Sequence, residues 1–281
     1  MADSKNFSGT GVAMVTPFSK NGNIDYDKLS MHTENLIING VDFLVVLGTT
    51  AETPTLSEEE KKDVIRCAVD ACGGRVKLVV GAGGNNTRAV INEIRAMDQE
   101  RIDGFLCVVP YYNKPSQEGI YQHYSAIAAV SELPLMLYNV PGRTGTNMLA
   151  QTVLRLAWDH PGKIAALKEA SGSHNLVSEI IRDKPSGFQV LSGDDSLTLT
   201  ISAIGGNGVV SVIGNAYPEL FSSMVNLALQ GDFTKALEVH LKLFPMMMAI
   251  FREGNPAGIK AAMEIRGMIA VSYTHLRAHE T

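Results

Sequence analysis

The sequence predicts an α/β protein built as a (β/α)8 barrel with extra helices at its C-terminal end. Three observations carry that prediction. A strand-like apolar run followed by a longer helical pattern recurs eight times, no Pro/Gly/Ser-rich linker divides the chain, and polar residues collect where the apolar runs end. The 281 residues exceed the usual domain size, yet barrels of ~250 residues commonly form one unit.

The apolar runs are residues 11–18, 43–48, 77–83, 104–110, 134–140, 164–171, 188–194 and 208–214. Each is nearly all apolar rather than alternating, as expected of parallel strands covered on both faces. Helices intervene. Ser57 with Glu60 three residues later opens one that runs to the Gly73-Gly74 stop, and Ser116 starts another more weakly. The pattern order fits a closed barrel or an open doubly wound sheet equally well. A barrel adds one demand, that the functional groups sit at the C-terminal strand ends. Thr16, Thr49, Thr50, Tyr111, Tyr112, Tyr138, Arg143 and Lys168 all fall there. The barrel is thus assigned to residues 1–232. Apolar positions continue beyond Asp232, through Phe244, Met248 and Ile250 and from Pro256 to Met268, so residues 233–270 form a helical extension packed on the barrel's outside.

Composition excludes several functions. Hydrophobic residues make up 45% and charged ones 19%, with a formal net charge of −5 and a pI near 5.8. No basic footprint offers itself to nucleic acid. No stretch approaches the ~18 uninterrupted apolar residues of a membrane span, and Met1 to Thr10 contains no apolar leader core, so the expected location is the cytoplasm. Cys67, Cys72 and Cys107 show no CxxC spacing and read as structural thiols. Gly81-Ala82-Gly83 resembles part of a dinucleotide fingerprint but lacks the third glycine and follows the third run instead of the first. Asp194-Asp195 finds no further ligand at metal spacing and reads as a loop cap. No metal site is expected.

Among 13 lysines, Lys168 is the one most clearly inside an apolar strand, in Leu167-Lys168-Glu169-Ala170-Ser171. Burial disfavours the charged ammonium, and a neutral amine is what attacks a ketone. The plainer alternatives are a lysine snorkelling from the strand end or paired with Glu169. Tyr138, one strand away, offers a phenol for proton transfer, or else is a core tyrosine with its hydroxyl satisfied. Thr49 and Thr50, after Gly48, present hydroxyls and backbone amides suited to a carboxylate, although the same turn would serve as a helix cap. Arg143, between Gly142 and Thr144, has the planar fork that suits a second carboxylate, or is a surface arginine.

Five segments together resemble the dihydrodipicolinate synthase / N-acetylneuraminate lyase family over roughly residues 8 to 270. They are Gly48-Thr49-Thr50-Ala51-Glu52, Pro110-Tyr111-Tyr112-Asn113, Tyr138-Asn139-Val140-Pro141-Gly142-Arg143-Thr144-Gly145, Leu167-Lys168-Glu169-Ala170-Ser171-Gly172 and Leu191-Ser192-Gly193-Asp194-Asp195. The resemblance implies that Lys168 forms an imine with pyruvate. It makes Tyr138, Thr50 and Tyr112 the proton relay, with Tyr112 reaching into a neighbouring subunit. The working unit is then a homodimer or a tetramer built as a dimer of dimers. Gly193 and Val210 fall where the family lines the pyruvate pocket, Val210 replacing a different branched residue, and Ala51 stands where many members have glycine. Arg143 points to the synthase branch, in which the pyruvate enamine adds to L-aspartate 4-semialdehyde to give 4-hydroxy-tetrahydrodipicolinate, a lysine precursor. No cofactor is implied. The runner-up is an N-acetylneuraminate lyase or a 2-keto-3-deoxy sugar-acid aldolase with the same Lys168 chemistry. A non-catalytic keto-acid sensor does not account for the Lys168, Tyr138 and Thr50 set, and a metal-dependent aldolase needs a ligand cluster that the sequence does not offer. Asn85 and Tyr111 match the family's lysine-effector pocket, but Ala89 replaces an acidic residue, which implies weak feedback.

Residues 271–281, Val271-Ser272-Tyr273-Thr274-His275-Leu276-Arg277-Ala278-His279-Glu280-Thr281, abandon the family pattern and resemble translated sequencing adapter. The expectation is a non-native tail on a gene that continues past Ala270. His275 and His279 at i, i+4 are then a coincidental pair.

Overall fold

A computed structural model describes residues 7–270; the segment 271–281, expected to be adapter-derived, lies outside the described residues. Eight strands close into a barrel in sequence order, each parallel to both neighbours. They are β1 (Gly9–Ala13), β2 (Phe43–Val46), β3 (Lys77–Gly81), β4 (Gly104–Val108), β5 (Leu135–Asn139), β6 (Ile164–Glu169), β7 (Gln189–Ser192) and β8 (Gly208–Ser211). The helices are α1 (Tyr26–Ile38), α2 (Glu58–Cys72), α3 (Thr87–Ala96), α4 (Gln117–Val130), α5 (Pro141–Thr144) and α6 (Ala150–Asp159). They continue with α7 (His174–Asp183), α8 (Thr198–Ala203), α9 (Pro218–Leu229), α10 (Phe233–Ala249) and α11 (Ala257–Ile265). Among the described residues no helix is long and apolar enough to cross a membrane.

Local chemistry sets the helix limits. Ser57 and Glu60 form a reciprocal capping box at the start of α2, and Gly73, at φ 58°, ends it in the left-handed region. Ser116 Oγ accepts from Gly119 N to begin α4, and the Asp232 carboxylate caps α10.

Two apolar layers explain why the strands read as continuous hydrophobic runs. Side chains alternate along a strand, so Val45, Val79, Leu106, Met136, Ala166, Leu191 and Val210 fill the barrel interior. Their neighbours Leu44, Leu78, Phe105, Leu137, Leu167 and Val190 pack outward under the helices. Strand limits differ from the apolar runs mostly at the C-terminal side. Residues 14–18 and 212–214 are mostly apolar but lie outside the strands, the latter entering a 3-10 turn at Ile213–Asn215, because the βα connections at the barrel mouth are themselves buried. β1 also begins earlier than expected, at Gly9, where Thr10 pairs with Val209 of β8.

α9, α10 and α11 share a second apolar cluster with the β8 end of the barrel, including Val209, Ile213, Phe221, Met247, Ile259 and Met263. Cys72 and Cys107 are buried free thiols, while Cys67 is only half-buried, with its thiol directed to the Tyr26 carbonyl.

Candidate active site

Lys168 shares the interior side of β6 with Ala166, two residues earlier, and is 4% exposed. Its strand partners at the same level are Tyr138 on β5 and Leu191 on β7. The Lys168 Nζ stands 4.2 Å from the centroid of the Tyr138 ring, a favourable seat for a cation on an aromatic face. Glu169 is turned the other way by the same alternation. Its carboxylate accepts from Asn139 Nδ2 at 2.8 Å and from the Ser171 amide, and burial raises its pKa above the usual carboxylate range. Lys168 is therefore not the partner of Glu169, and among the described residues it forms no salt bridge.

A cavity of about 430 Å³ opens at this end of the barrel, lined by Gly48, Thr49, Tyr111, Tyr138, Arg143 and Thr144 among others. Thr49 and Thr50 lie in a short 3-10 turn, Thr49–Ala51. Thr50 is fully buried, and its hydroxyl accepts from Asn255 Nδ2 at 2.9 Å. Thr16 Oγ1 donates to the Ala51 carbonyl at 2.8 Å and ties the turn to the loop after β1. Arg143, on the short helix α5, is exposed at the cavity wall, with Nη2 donating to the Asn255 carbonyl at 3.1 Å.

Gly193 follows β7 so closely that a Cβ there would lie 2.7 Å from the Ala170 Cβ, and its amide donates to the Glu169 carbonyl at 2.7 Å. Only glycine fits. Val210 is buried in the same interior cluster as Tyr138 and Ala166. Beyond Gly193, the buried Asp195 carboxylate accepts from the Val212 and Ile213 amides and ties the β7 and β8 loops together. Burial raises its pKa to about 6.

Tyr112 stands apart from this group. It is 88% exposed and holds a left-handed backbone, φ 72°, a conformation that a non-glycine residue adopts at a cost of ~1–3 kcal/mol. Tyr111 beside it does line the cavity, and its carbonyl accepts from Asn85 Nδ2 at 3.2 Å.

The chain matches the sequence model of the dihydrodipicolinate synthetase family over residues 6–278. The chain belongs to that family. The match runs past Ala270 into the segment read above as adapter-derived. The 4-hydroxy-tetrahydrodipicolinate synthase of Phocaeicola vulgatus is 51% identical over 93% of this chain and 88% of its own. That of Bacillus subtilis is 45% identical over 94% of this chain and 90% of its own. The crystal structure of dihydrodipicolinate synthase from Aquifex aeolicus superposes with a TM-score of 0.92 at 39% identity, covering 98% of this chain and 93% of that one.

Two groups escaped the sequence reading. Asn255 joins Thr50 to Arg143, and Lys260 of α11 forms an ion pair with Glu52, both 1% exposed. A lysine within the apolar pattern of residues 256–268 is the signal that marked the second. Nothing in the sequence marked the first. Removing one partner of such a buried pair costs about 3–5 kcal/mol, so the pair fixes where α11 meets the Thr49–Ala51 turn.

Proposed function

We propose that this chain is a class I aldolase of the lysine-forming branch, a 4-hydroxy-tetrahydrodipicolinate synthase that condenses pyruvate with L-aspartate 4-semialdehyde. The observation that carries the reading is Lys168: a lysine with no acidic partner among the described residues, buried inside the barrel against a tyrosine ring. Its amine attacks the pyruvate ketone, and the carbinolamine loses water to give an imine. Loss of a methyl proton then makes the enamine nucleophile. The enamine carbon bonds to the aldehyde carbon, whose oxygen takes up a proton. The substrate's own amine next displaces Lys168 as the ring closes.

Tyr138, Thr50 and the Tyr112 of a neighbouring subunit relay the protons in this reading. Thr49 and Thr50 meet the pyruvate carboxylate, Gly193 and Val210 shape its pocket, and Arg143 meets the carboxylate of the semialdehyde. Arg143 supports that last role by its place on the cavity wall, where a guanidinium can bind a carboxylate through two parallel hydrogen bonds. The exposure of Tyr112 supports a working unit of at least two chains, and the cytoplasm is the compartment that goes with the reading.

The decisive assay offers pyruvate together with either aspartate 4-semialdehyde or N-acetylmannosamine. Turnover of the first and not the second is expected. Turnover of the sugar alone would move the chain to the lyase branch.

A further inference from the structure

Glu169 is a buried carboxylate, 2% exposed, directly after the proposed imine lysine, and its place is set by the pairing of β5 with β6. That pairing contains an irregularity. Leu135 stands opposite Ile164 but Met136 stands opposite Ala166, so β6 carries Ala165 as an extra residue. The direction of every later side chain on β6 depends on it, because a slip of one position turns each to the other face. Size does not choose between Ala165 and Ala166, two alanines that both lie in the interior cluster. A side-chain bond does. Asn139 Nδ2 donates to Glu169 Oε2 at 2.8 Å, one position beyond Tyr138 and Lys168 on the same two strands. Asn139 is buried and held in one orientation, since Nδ2 also donates to Asn147 Oδ1 at 2.9 Å while Oδ1 accepts from the Met148 amide at 3.0 Å. Glu169 gives its other oxygen to the Ser171 amide.

We propose that Asn139 and Glu169 are a positioning pair for the aldol reaction, their bond fixing the register in which the Lys168 amine faces the Tyr138 ring; the inference rests on the Lys168 reading above. With the bond made, amine and phenol share one level of the barrel interior. With it lost, β5 and β6 can shift against each other at that level, and proton transfer, which needs hydrogen-bond reach, slows. Both residues act through their neighbours in the chain.

The test is a donor–acceptor swap, read as kcat for aspartate semialdehyde per site that borohydride fixes with pyruvate, so that unfolded protein does not count. Glu169→Gln leaves one acceptor for two donors, the Asn139 amide and the Ser171 N–H, and Asn139→Asp sets two buried carboxylates face to face. Each weakens the bond. In the double variant the amide at position 169 donates to the carboxylate at position 139 and still accepts from Ser171. The carboxylate at 139 still accepts from Met148, and the exposed Asn147 amide turns over to donate to it. Each single variant is expected to lose about tenfold or more in kcat per trapped site, and the double variant to return to within about threefold of the unaltered chain. A purely structural role would lower the number of trappable sites and leave kcat per site intact. That result in Glu169→Gln, loss of every trappable site in both single variants, or a double variant no faster than the singles would overturn the proposal. If the unaltered chain traps no pyruvate, the Lys168 reading fails instead.

Discussion

Lys168 and Tyr138 occupy the same register position on the adjacent strands β6 and β5, with the lysine Nζ 4.2 Å from the centroid of the tyrosine ring. Strand pairing alone sets this relationship, because both residues fall on the interior side of the barrel. The same alternation sends Asn139 and Glu169 outward to bond one another, so Lys168 does not pair with Glu169.

Arg143 serves the second substrate only in this account. Arg143→Ala is expected to lower kcat/KM for aspartate semialdehyde about ten- to hundredfold, the worth of a charge-assisted hydrogen bond. Borohydride trapping of pyruvate should stay near the unaltered level. Steady-state kinetics beside a trapping assay checks this, and equal loss in both would contradict the role.

Tyr112, 88% exposed within its own chain, is expected to complete a neighbour's site. Mixing subunits carrying Lys168→Ala with subunits carrying Tyr112→Phe then yields some sites that hold both native residues. Activity of the mixture well above either parent is the expected outcome. A mixture no more active than its parents would place Tyr112 outside the neighbour's chemistry.

The sequence made the barrel and most of the candidate site legible because both follow periodicity. Eight apolar runs marked the strands, and Lys168 stood out as a charge inside one of them. Strand ends were less legible. Met14 and Val212 are as buried as strand residues although they lie in loops, and hydrophobicity does not tell the two apart. Asn255 was illegible for a different reason. Its partners are Thr50, 205 residues away in the chain, and Arg143, 112 residues away, and no local pattern records such contacts. Tyr112 was reached through family resemblance, since an exposed tyrosine in a loop has no periodic signal.

Lysine is expected to inhibit weakly or not at all. Ala89, where the family's sensitive members carry an acid, is exposed and uncharged. Lys61 and Glu93 line the cavity. A lysine titration of initial rates checks this. Strong inhibition at low lysine concentration would contradict it.

Acid should remove the stability that two buried histidines contribute between pH 6.5 and about 4. Burial lowers the pKa of His32 and of His123 from 6.5 to about 4. Each therefore contributes stability that is fully present above 6.5 and lost as pH falls through about 4, on the order of 3 kcal/mol for the fully buried His32. Asp195 opposes this, since a pKa raised from 3.8 to about 6 favours the folded state at lower pH. Glu169 and Glu93, also raised by burial, act in the same direction as Asp195, so the histidine contribution is read against a variant. Thermal unfolding across this range should show Tm changing less favourably toward acid in the unaltered chain than in His32→Gln. The same slope in the variant would remove His32 as a cause.

The most direct test of the central claim is to reduce the chain with borohydride in the presence of pyruvate and to map the adduct by peptide mass spectrometry. The account predicts one pyruvyl adduct per chain, on Lys168, and none in Lys168→Ala. An adduct on another lysine, or one that persists in Lys168→Ala, would contradict it.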